Sequence, residues 1–573
     1  MNPDAWRLRL RLPLALVSGG IAFCAFPPVD LGWVSLGALV PLFLALRGAR
    51  GRAGFLVGVA FGLGFMGPLV WWISLFGYLA WGVLVVAQAL FFGVFGWFAA
   101  WASRGAWGRL VGVPILFTAV EVLRTRWPLG GFAWGALGYT QHDAGPLLAL
   151  ARVGGVHVVT LAIVLINALA AHVFCSGRVW RRALAAAVAA GVAIGPLWMP
   201  LGLAGAPVGE LDVALVQGNV PEGRFQGFAD RVGRAGPEDS VIIANHIGLS
   251  DPLAAKPPDL VVWPENSVDR DPFTHPEIGQ TIEQTVRKVG SPFIVGAILD
   301  APNGRFRNTT LLYSNAGLVT ARYDKIHLVP FGEYVPWPRL RRYVKALEQI
   351  PADGVPGTTP VVFDIGKAKI GTVICFESTY PALARELVRD DAELLVVSTN
   401  NASFRRSPAS AQHVAMSQLR AVEEGRTVMH AAISGITAVI DARGQILQQT
   451  GLFQAAVVRR SVPLARGRTE YARFGEAIET ALLGLGAIAA GMTVARVIGR
   501  RRERRYSAAE QELWGGEETL KRAIAEREAA DREIAARIAA GGEVAPSELP
   551  PSADLVDMPP EDLPEPPPGD AAV

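Results

Sequence analysis

Charge is missing from long stretches of this 573-residue chain. Between Ala53 and Ser103 there is no Asp, Glu, Lys or Arg. That excludes a solvated surface for the segment, and because about 20 apolar residues cross a bilayer core, it must make at least two spans. Cysteine is scarce, with only Cys24, Cys175 and Cys375, which excludes a disulfide framework. Cys24 and Cys175 lie in or at the end of apolar runs, where packing accounts for them. Cys375 is alone in its region, so no intradomain disulfide can form there. His246, His275, His413 and His430 lack ligand-like spacing, which leaves no metal site, and His327 reads as structural. No internal repeat is apparent. A net charge of +3 decides little, since membrane topology explains the arginines, and no nucleic-acid partner is expected.

Apolar residues make up 51% of the chain and the mean hydropathy is positive, the balance of a membrane protein. Further uncharged stretches run through Leu12–Phe26, Leu31–Leu46, Leu110–Val120, Val153–Cys175, Ala183–Leu203 and Thr480–Ala495. With the long run counted twice they predict about eight spans. The first stretch is short and follows Arg7, Arg9 and Arg11, as a signal peptide would. The spans behind it favour a retained anchor. Threading eight spans puts Arg7–Arg11, Arg47–Arg52, Arg104 with Arg109, Arg178–Arg182 and Arg496–Arg505 on one side, the cytoplasmic one by the positive-inside rule. Both termini are then expected in the cytoplasm, and the long region between spans seven and eight outside it. Arg124 and Arg126 break the pattern and have Glu121 beside them as a partner.

Residues 1–208 are therefore read as spans one to seven, 209–474 as an extracytoplasmic α/β domain, 475–500 as span eight and 501–573 as a cytoplasmic charged helix with a Pro-rich acidic tail. In the α/β region, near-continuous apolar strands such as "LDVALVQGN", "DLVVWPEN", "AKIGTVICF" and "AELLVVSTN" predict a sheet covered on both faces. "ISGITAVIDARGQILQQTG" reads as a hairpin turning at Asp441–Gly444. The tail's composition cannot bury a core, so it is expected to be disordered and stays open to a cytoplasmic partner.

Three strand ends carry ionisable residues: Glu265 in "VVWPENS", Lys325 and Glu333 in "RYDKIHLVPFGEYVP", and Cys375 and Glu377 in "VICFES". Strand ends are where ligands bind in open α/β sheets. A thiol attacks as the thiolate, so it needs a base and a nearby cation. Glu265 and Lys325 suit those roles, and the N–H of Phe376 with Lys325 would stabilise an oxyanion. Each residue also has an ordinary reading. Cys375 alone is a core thiol, Glu265 a surface carboxylate, and Lys325 with Asp324 an exposed ion pair worth under about 1 kcal/mol. Glu121 would pair structurally with Arg124.

"WPEN", "DKIHLVPFGEYVP" and "ICFES" resemble the Glu, Lys and Cys motifs of the nitrilase (carbon–nitrogen hydrolase) superfamily. Within a domain flanked by spans, "K-x-H-L-V-P-F-G-E" is similar to the apolipoprotein N-acyltransferase family, in a form like that of its actinobacterial members. "WPLGGFAWGALGYTQ", "VQGN", "SQLRAVEEGR" and "YARFGE" extend the match over roughly residues 10–500. The resemblance implies an integral membrane helical bundle carrying a nitrilase-like αββα sandwich in a bacterial plasma membrane. It implies no cofactor, and a phospholipid as acyl donor, a Cys thioester, and transfer to the α-amine of a diacylglyceryl-modified apolipoprotein, the last step of lipoprotein maturation. By motif, Glu265 resembles the base, Lys325 the stabiliser and Cys375 the nucleophile. Glu333 resembles a second carboxylate, and Phe376 and Glu377 the "C-aromatic-E" setting. Two departures stand out: Ser403 in "STNNASF" where the family has tryptophan, and Phe225 as the nearest aromatic in "VPEGRFQG". Rival readings are a tethered amidase with water as acceptor, and a scaffold recruiting a polyprenol-phosphate glycosyltransferase.

Overall fold

A computed structural model describes residues 7–143, 145–220, 237–342, 352–513 and 517–540. Phe225 and the tail from residue 541 lie outside the described residues. The chain divides between Thr493 and Val494 into two compact units. Before the α/β region come α1 (Leu8–Phe23), α2 (Ser35–Ala38), α3 (Val40–Leu46), α4 (Gly51–Leu69), α5 (Tyr78–Ala102), α6 (Val113–Arg124), α7 (Ala151–Cys175) and α8 (Val179–Ile194).

Among the described residues, four helical segments are long and apolar enough to cross a membrane: Gly51–Leu69, Tyr78–Ala102, Leu148–Cys175 and Glu470–Arg500. The other expected spans form shorter helices. The run Leu31–Leu46 is interrupted at Leu39, between α2 and α3, because Pro41 in the first turn of α3 has no N–H to continue the preceding helix. Pro196 follows the end of α8 in the same way. Glu121 and Arg124 do pair, at 3.7 Å in the interior, and Glu121 also accepts from the Leu137 N–H and the Thr160 hydroxyl. Arg126 bonds Glu479 instead.

Helices α4 and α5 pack through small residues, since apolar side chains gain little by leaving lipid for one another. Gly54, Gly58 and Gly62 recur every fourth residue of α4. They face Gly96, Phe92 and Ala89 of α5, so closely that a Cβ on Gly58 would collide with the Phe92 carbonyl.

The α/β region holds β1 (Pro207–Gln217), β2 (Leu260–Val268), β3 (Phe293–Ala301), β4 (Arg305–Tyr313), β5 (Val319–Asp324), β6 (Val362–Asp364), β7 (Lys369–Ile374), β8 (Leu394–Thr399), β9 (Val428–Ala432), β10 (Ala438–Ile440), β11 (Ile446–Gln449) and β12 (Ala456–Ala465). They form two six-stranded sheets, in the orders β12-β1-β2-β3-β4-β5 and β11-β10-β9-β8-β7-β6. β10 and β11 make the expected hairpin, with the Gly444 N–H closing its turn on the Asp441 carbonyl.

Alternation places Leu211, Val213 and Leu215 of β1 between the sheets, against Ile370, Val396 and Met429. The opposite face of the first sheet packs on α9 (Pro237–Ser250) and α10 (Pro276–Val289) through Ile243, Ile282 and Val286. The second sheet packs on α11 (Pro381–Arg389) and α12 (Ala409–Glu424) through Leu387 and Val414. The result is an αββα sandwich.

Every residue of α12 except Ala411 is buried, because this helix lies between the second sheet and the apolar helices. Gln412 donates to the carbonyls of Pro27 and Leu69, and Glu423 accepts from the Val156 N–H at a break in α7 made by Gly155, φ 71°. After β12 come α13 (Glu470–Leu513) and α14 (Glu517–Ala539).

Gly58→Leu is expected to wedge α4 from α5 and to destabilise the protein by about 1–3 kcal/mol, read as a lower melting temperature in detergent. Gly82→Leu, on the α5 face where a Cβ meets nothing, is the control and should leave melting unchanged.

Candidate active site

Glu265 stands within β2, at its C-terminal part, and Lys325 directly follows β5, which runs in the same direction, so both lie toward one end of the strands of the first sheet. The sequence leaves open whether residues this far apart converge. In the fold, Lys325 Nζ lies 3.1 Å from Glu265 Oε1 and 3.1 Å from each Glu333 carboxylate oxygen. Lys325 is 1% exposed, so its reading as a surface partner of Asp324 is replaced. Asp324 instead pairs with Arg307 and Arg322. Burial pulls the ammonium towards neutrality, but Glu265 and Glu333 together outweigh it and hold the Lys325 pKa well above its ordinary value. Removing one partner of such a pair typically costs about 3–5 kcal/mol.

Both carboxylates are held by groups that the sequence reading passed over. Asn308 on β4 donates to Glu265 at 2.7 Å and to Glu333 at 2.9 Å. The Asn400 N–H, just past β8, donates to the other Glu265 oxygen at 2.6 Å, and the Val329 N–H to Glu333 at 2.8 Å. Asn400 at a strand end had a signal of the same kind as Glu265. Asn308 had only its polarity inside an apolar strand.

Cys375 follows β7 and opens a short 3₁₀ turn, Cys375–Thr379, with φ 52°. This is the left-handed region that non-glycine residues avoid, and such strain collects at functional sites. The half-buried residue lies within electrostatic reach of Lys325, Glu265 and Glu333, and its thiol bonds Thr399. Burial and the Glu265 charge push the thiol up to about 12, against the opposing pull of Lys325. At neutral pH the resting thiol therefore keeps its proton, with a carboxylate nearby to receive it.

Glu377 is fully buried and does not project into the site. Its carboxylate accepts from the Tyr323 hydroxyl and from the N–H groups of Ile326, His327 and Ile374, all at 2.7–3.0 Å. It thereby ties the strand end that carries Lys325 to the strand end that carries Cys375. Phe376 is buried beside Phe132 and Tyr380. His327 stacks on Tyr380 at 4.3 Å, in keeping with its structural reading.

His413 of α12 carries a role the sequence did not signal. Its Nε2 lies 3.1 Å from the Cys375 carbonyl and 2.7 Å from the Ser378 hydroxyl, and its Nδ1 lies 3.2 Å from Asn401. Burial lowers its pKa to about 4, so the ring is neutral. The Cys375 carbonyl facing Nε2 and the Asn401 Oδ1 facing Nδ1 both only accept, so the single ring proton serves one of them.

Trp134, from the "WPLGGFAWGALGYTQ" connection, packs on His413 and donates to Gln412 at 2.7 Å. Ser403 lies in a turn whose Phe404 packs on Trp72 at 4.6 Å and on Phe76 and Trp134 at 6.5 and 6.4 Å. Aromatic side chains from the apolar helical region thus reach the surroundings of Cys375. Among the described residues no group of His, Cys, Asp and Glu is arranged to hold a metal ion.

Two family models match the sequence, the apolipoprotein N-acyltransferase N-terminal domain over residues 18–169 and the carbon-nitrogen hydrolase over residues 212–469. The chain is similar to proteins named apolipoprotein N-acyltransferase. That of Geobacter metallireducens is 31% identical over 85% of this chain and 98% of its own length. The Mycolicibacterium smegmatis protein is 33% identical over 82% and 83%, and the Nitrosomonas europaea protein 30% identical over 86% and 99%.

Replacing Glu265 with Gln removes one of the charges that raises the thiol pKa and leaves Lys325 in place. The midpoint of Cys375 alkylation against pH is therefore expected to move down, measured with iodoacetamide on a variant with Cys24 and Cys175 changed to Ser. An upward or unmoved midpoint contradicts the electrostatic account.

Proposed function

Because the chain belongs to the apolipoprotein N-acyltransferase family, we propose that it moves an acyl chain from a membrane phospholipid, by way of a Cys375 thioester, to the α-amino group of the diacylglyceryl-cysteine that begins an apolipoprotein. The observation that carries this reading is the cluster of Glu265, Lys325, Glu333 and Cys375, set where Trp72, Trp134 and Phe404 join the apolar helices to the sandwich.

In the first half-reaction Glu265 takes the Cys375 proton as sulfur attacks the ester carbonyl. The carbonyl oxygen gains negative charge, which the Lys325 ammonium and the Phe376 N–H stabilise; a single well-aimed donor of this kind is worth about 3–4 kcal/mol. The C–O bond breaks, the lysophospholipid alkoxide receives the proton from Glu265, and the acyl group stays on sulfur. In the second half the unprotonated amine attacks the thioester, Glu265 takes its proton, and thiolate leaves and is reprotonated. The products are an amide and the free thiol, with no redox change and no cofactor.

Glu333 shares the Lys325 charge and keeps the ammonium oriented when Glu265 becomes neutral. Glu377 and Phe376 hold the backbone around the nucleophile. His413 serves as a positioning residue, because its Nε2 lies against the carbonyl of the strained Cys375. The arginine clusters support a topology with both termini in the cytoplasm and the sandwich outside it, between seven spans and one.

The test uses purified protein in detergent with a phospholipid labelled in its acyl chain. A hydroxylamine-sensitive label on Cys375, transferred to a diacylglyceryl-cysteine peptide when that is added, is the expected result. Rapid loss of label to water without peptide would make the protein an amidase, and no label on the wild type would leave only a scaffold. Cys375→Ala should abolish labelling and transfer, and undiminished product from it would overturn the assignment.

A further inference from the structure

The end of β8 serves several groups of the active site within three residues. Asn400 gives its N–H to the Glu265 carboxylate, and the Asn401 side-chain oxygen faces His413. Thr399 is the last residue of the strand. β7 and β8 run parallel with Ile374 opposite Ser398, so the next residue of each chain, Cys375 and Thr399, leaves the sheet beside the other. The thiol bonds the Thr399 hydroxyl there.

Thr399 is fully buried and its β-branched side chain is stiff at χ1, so the hydroxyl oxygen has a fixed place between two neighbours. One is the thiol, and the other is Asn401 Oδ1, to which the hydroxyl donates at 2.9 Å. A hydroxyl has one proton and two acceptor lone pairs. While it donates to Asn401 it offers lone pairs to sulfur, which suits a protonated thiol. Facing a thiolate those lone pairs would repel, and rotation about the C–O bond turns the proton to sulfur without moving a heavy atom. Asn401 Oδ1 keeps His413 Nδ1 beside it at 3.2 Å when the hydroxyl turns away. Lys325 has other duties: its ammonium is bonded to Glu265 and Glu333 and must also face the carbonyl oxygen during attack. Thr399 is uncharged, and its resting acceptor is an amide oxygen rather than a carboxylate.

We propose that Thr399 is a further catalytic residue, whose hydroxyl donates to the Cys375 sulfur whenever that sulfur carries negative charge. The role rests on the reading of Cys375 as the nucleophile of acyl transfer. It adds no bond to those made and broken in the two half-reactions. Glu265 takes the thiol proton, Thr399 keeps its own, and its hydrogen bond moves from Asn401 to sulfur. In the thioester the sulfur is neutral and a weak acceptor, so the hydroxyl returns to Asn401, and it turns to sulfur again as the thiolate leaves.

Alkylation of Cys375 by iodoacetamide tests this, in the full chain with Cys24 and Cys175 changed to Ser, at about pH 8 where the rate follows the small thiolate fraction. Thr399→Val keeps the shape and loses the hydroxyl. It should lower the rate about tenfold, the scale of a hydrogen bond to a charged group, whereas Thr399→Ser should keep most of the rate. An unchanged rate in the Val variant, or a Ser variant as slow as the Val one, would overturn the proposal. If the Val variant fails to fold, Thr399→Ala, which removes the hydroxyl and leaves room in its place, carries the same expectation, and an unchanged rate in it would overturn the proposal too. With labelled phospholipid at saturation, Thr399→Val should slow single-turnover labelling of Cys375 by a similar factor, and undiminished labelling would count against the role. Alkylation requires no phospholipid, so failure of the acyl-transfer reading is distinguishable: it shows as an unlabelled wild type whose Cys375 still alkylates in a Thr399-dependent way.

Discussion

A lysine ammonium buried between two carboxylates is the constraint around which this sandwich is arranged. Lys325 is buried, and Glu265 and Glu333 at 3.1 Å do most to keep it charged. Neither carboxylate would hold its place alone, so Asn308 bridges them and the N–H groups of Asn400 and Val329 take their remaining oxygens. These donors come from β4, from the end of β8 and from the loop after Lys325. The ammonium therefore depends on both sheets keeping their register. Fully satisfied, such a network favours one arrangement strongly, because an unpaired buried charge is so unfavourable.

Glu377 is the second half of the same construction. It does no chemistry in the proposed reaction, but it bonds backbone on both sides of the site and ties the lysine strand end to the cysteine strand end. The strained φ of Cys375 persists because the Glu377 carboxylate on one side and the His413 ring on the other restrain the adjoining peptide groups. Helix α12 carries this support outward. Its residues face the sheet and the apolar helices at once, so Gln412, His413 and Trp134 connect the nucleophile's surroundings to the region where a lipid would arrive. In a soluble hydrolase that outer face would meet water.

Much of the architecture was legible in the chain. Apolar strands that alternate with polar, helix-like segments predict an α/β region with a covered sheet, the resemblance implies the αββα sandwich, and the turn residues give the hairpin at Asp441–Gly444. The span pattern was legible as composition. Four helices meet the length that a bilayer requires, while proline and glycine cut the other apolar runs into shorter helices. Glu265, Lys325, Glu333 and Cys375 were legible as ionisable residues at strand ends. Asn308, His413 and Thr399 were not, because a single polar residue in a strand or helix looks the same whether it faces water, a core or a carboxylate.

By itself, then, the sequence determined which residue types were present, their order along the chain, and the period of the apolar pattern that makes two covered sheets and a set of apolar helices. Those properties are local, set by side-chain volume, backbone preference and transfer from water. What the tertiary structure decided was proximity. It turned Lys325 from a neighbour of Asp324 into the partner of Glu265, sixty positions away in the chain, and it set His413 against the carbonyl of Cys375. The physical reason is that the energy of a charge depends on burial and on distances of a few ångströms. Spacing along a chain fixes neither.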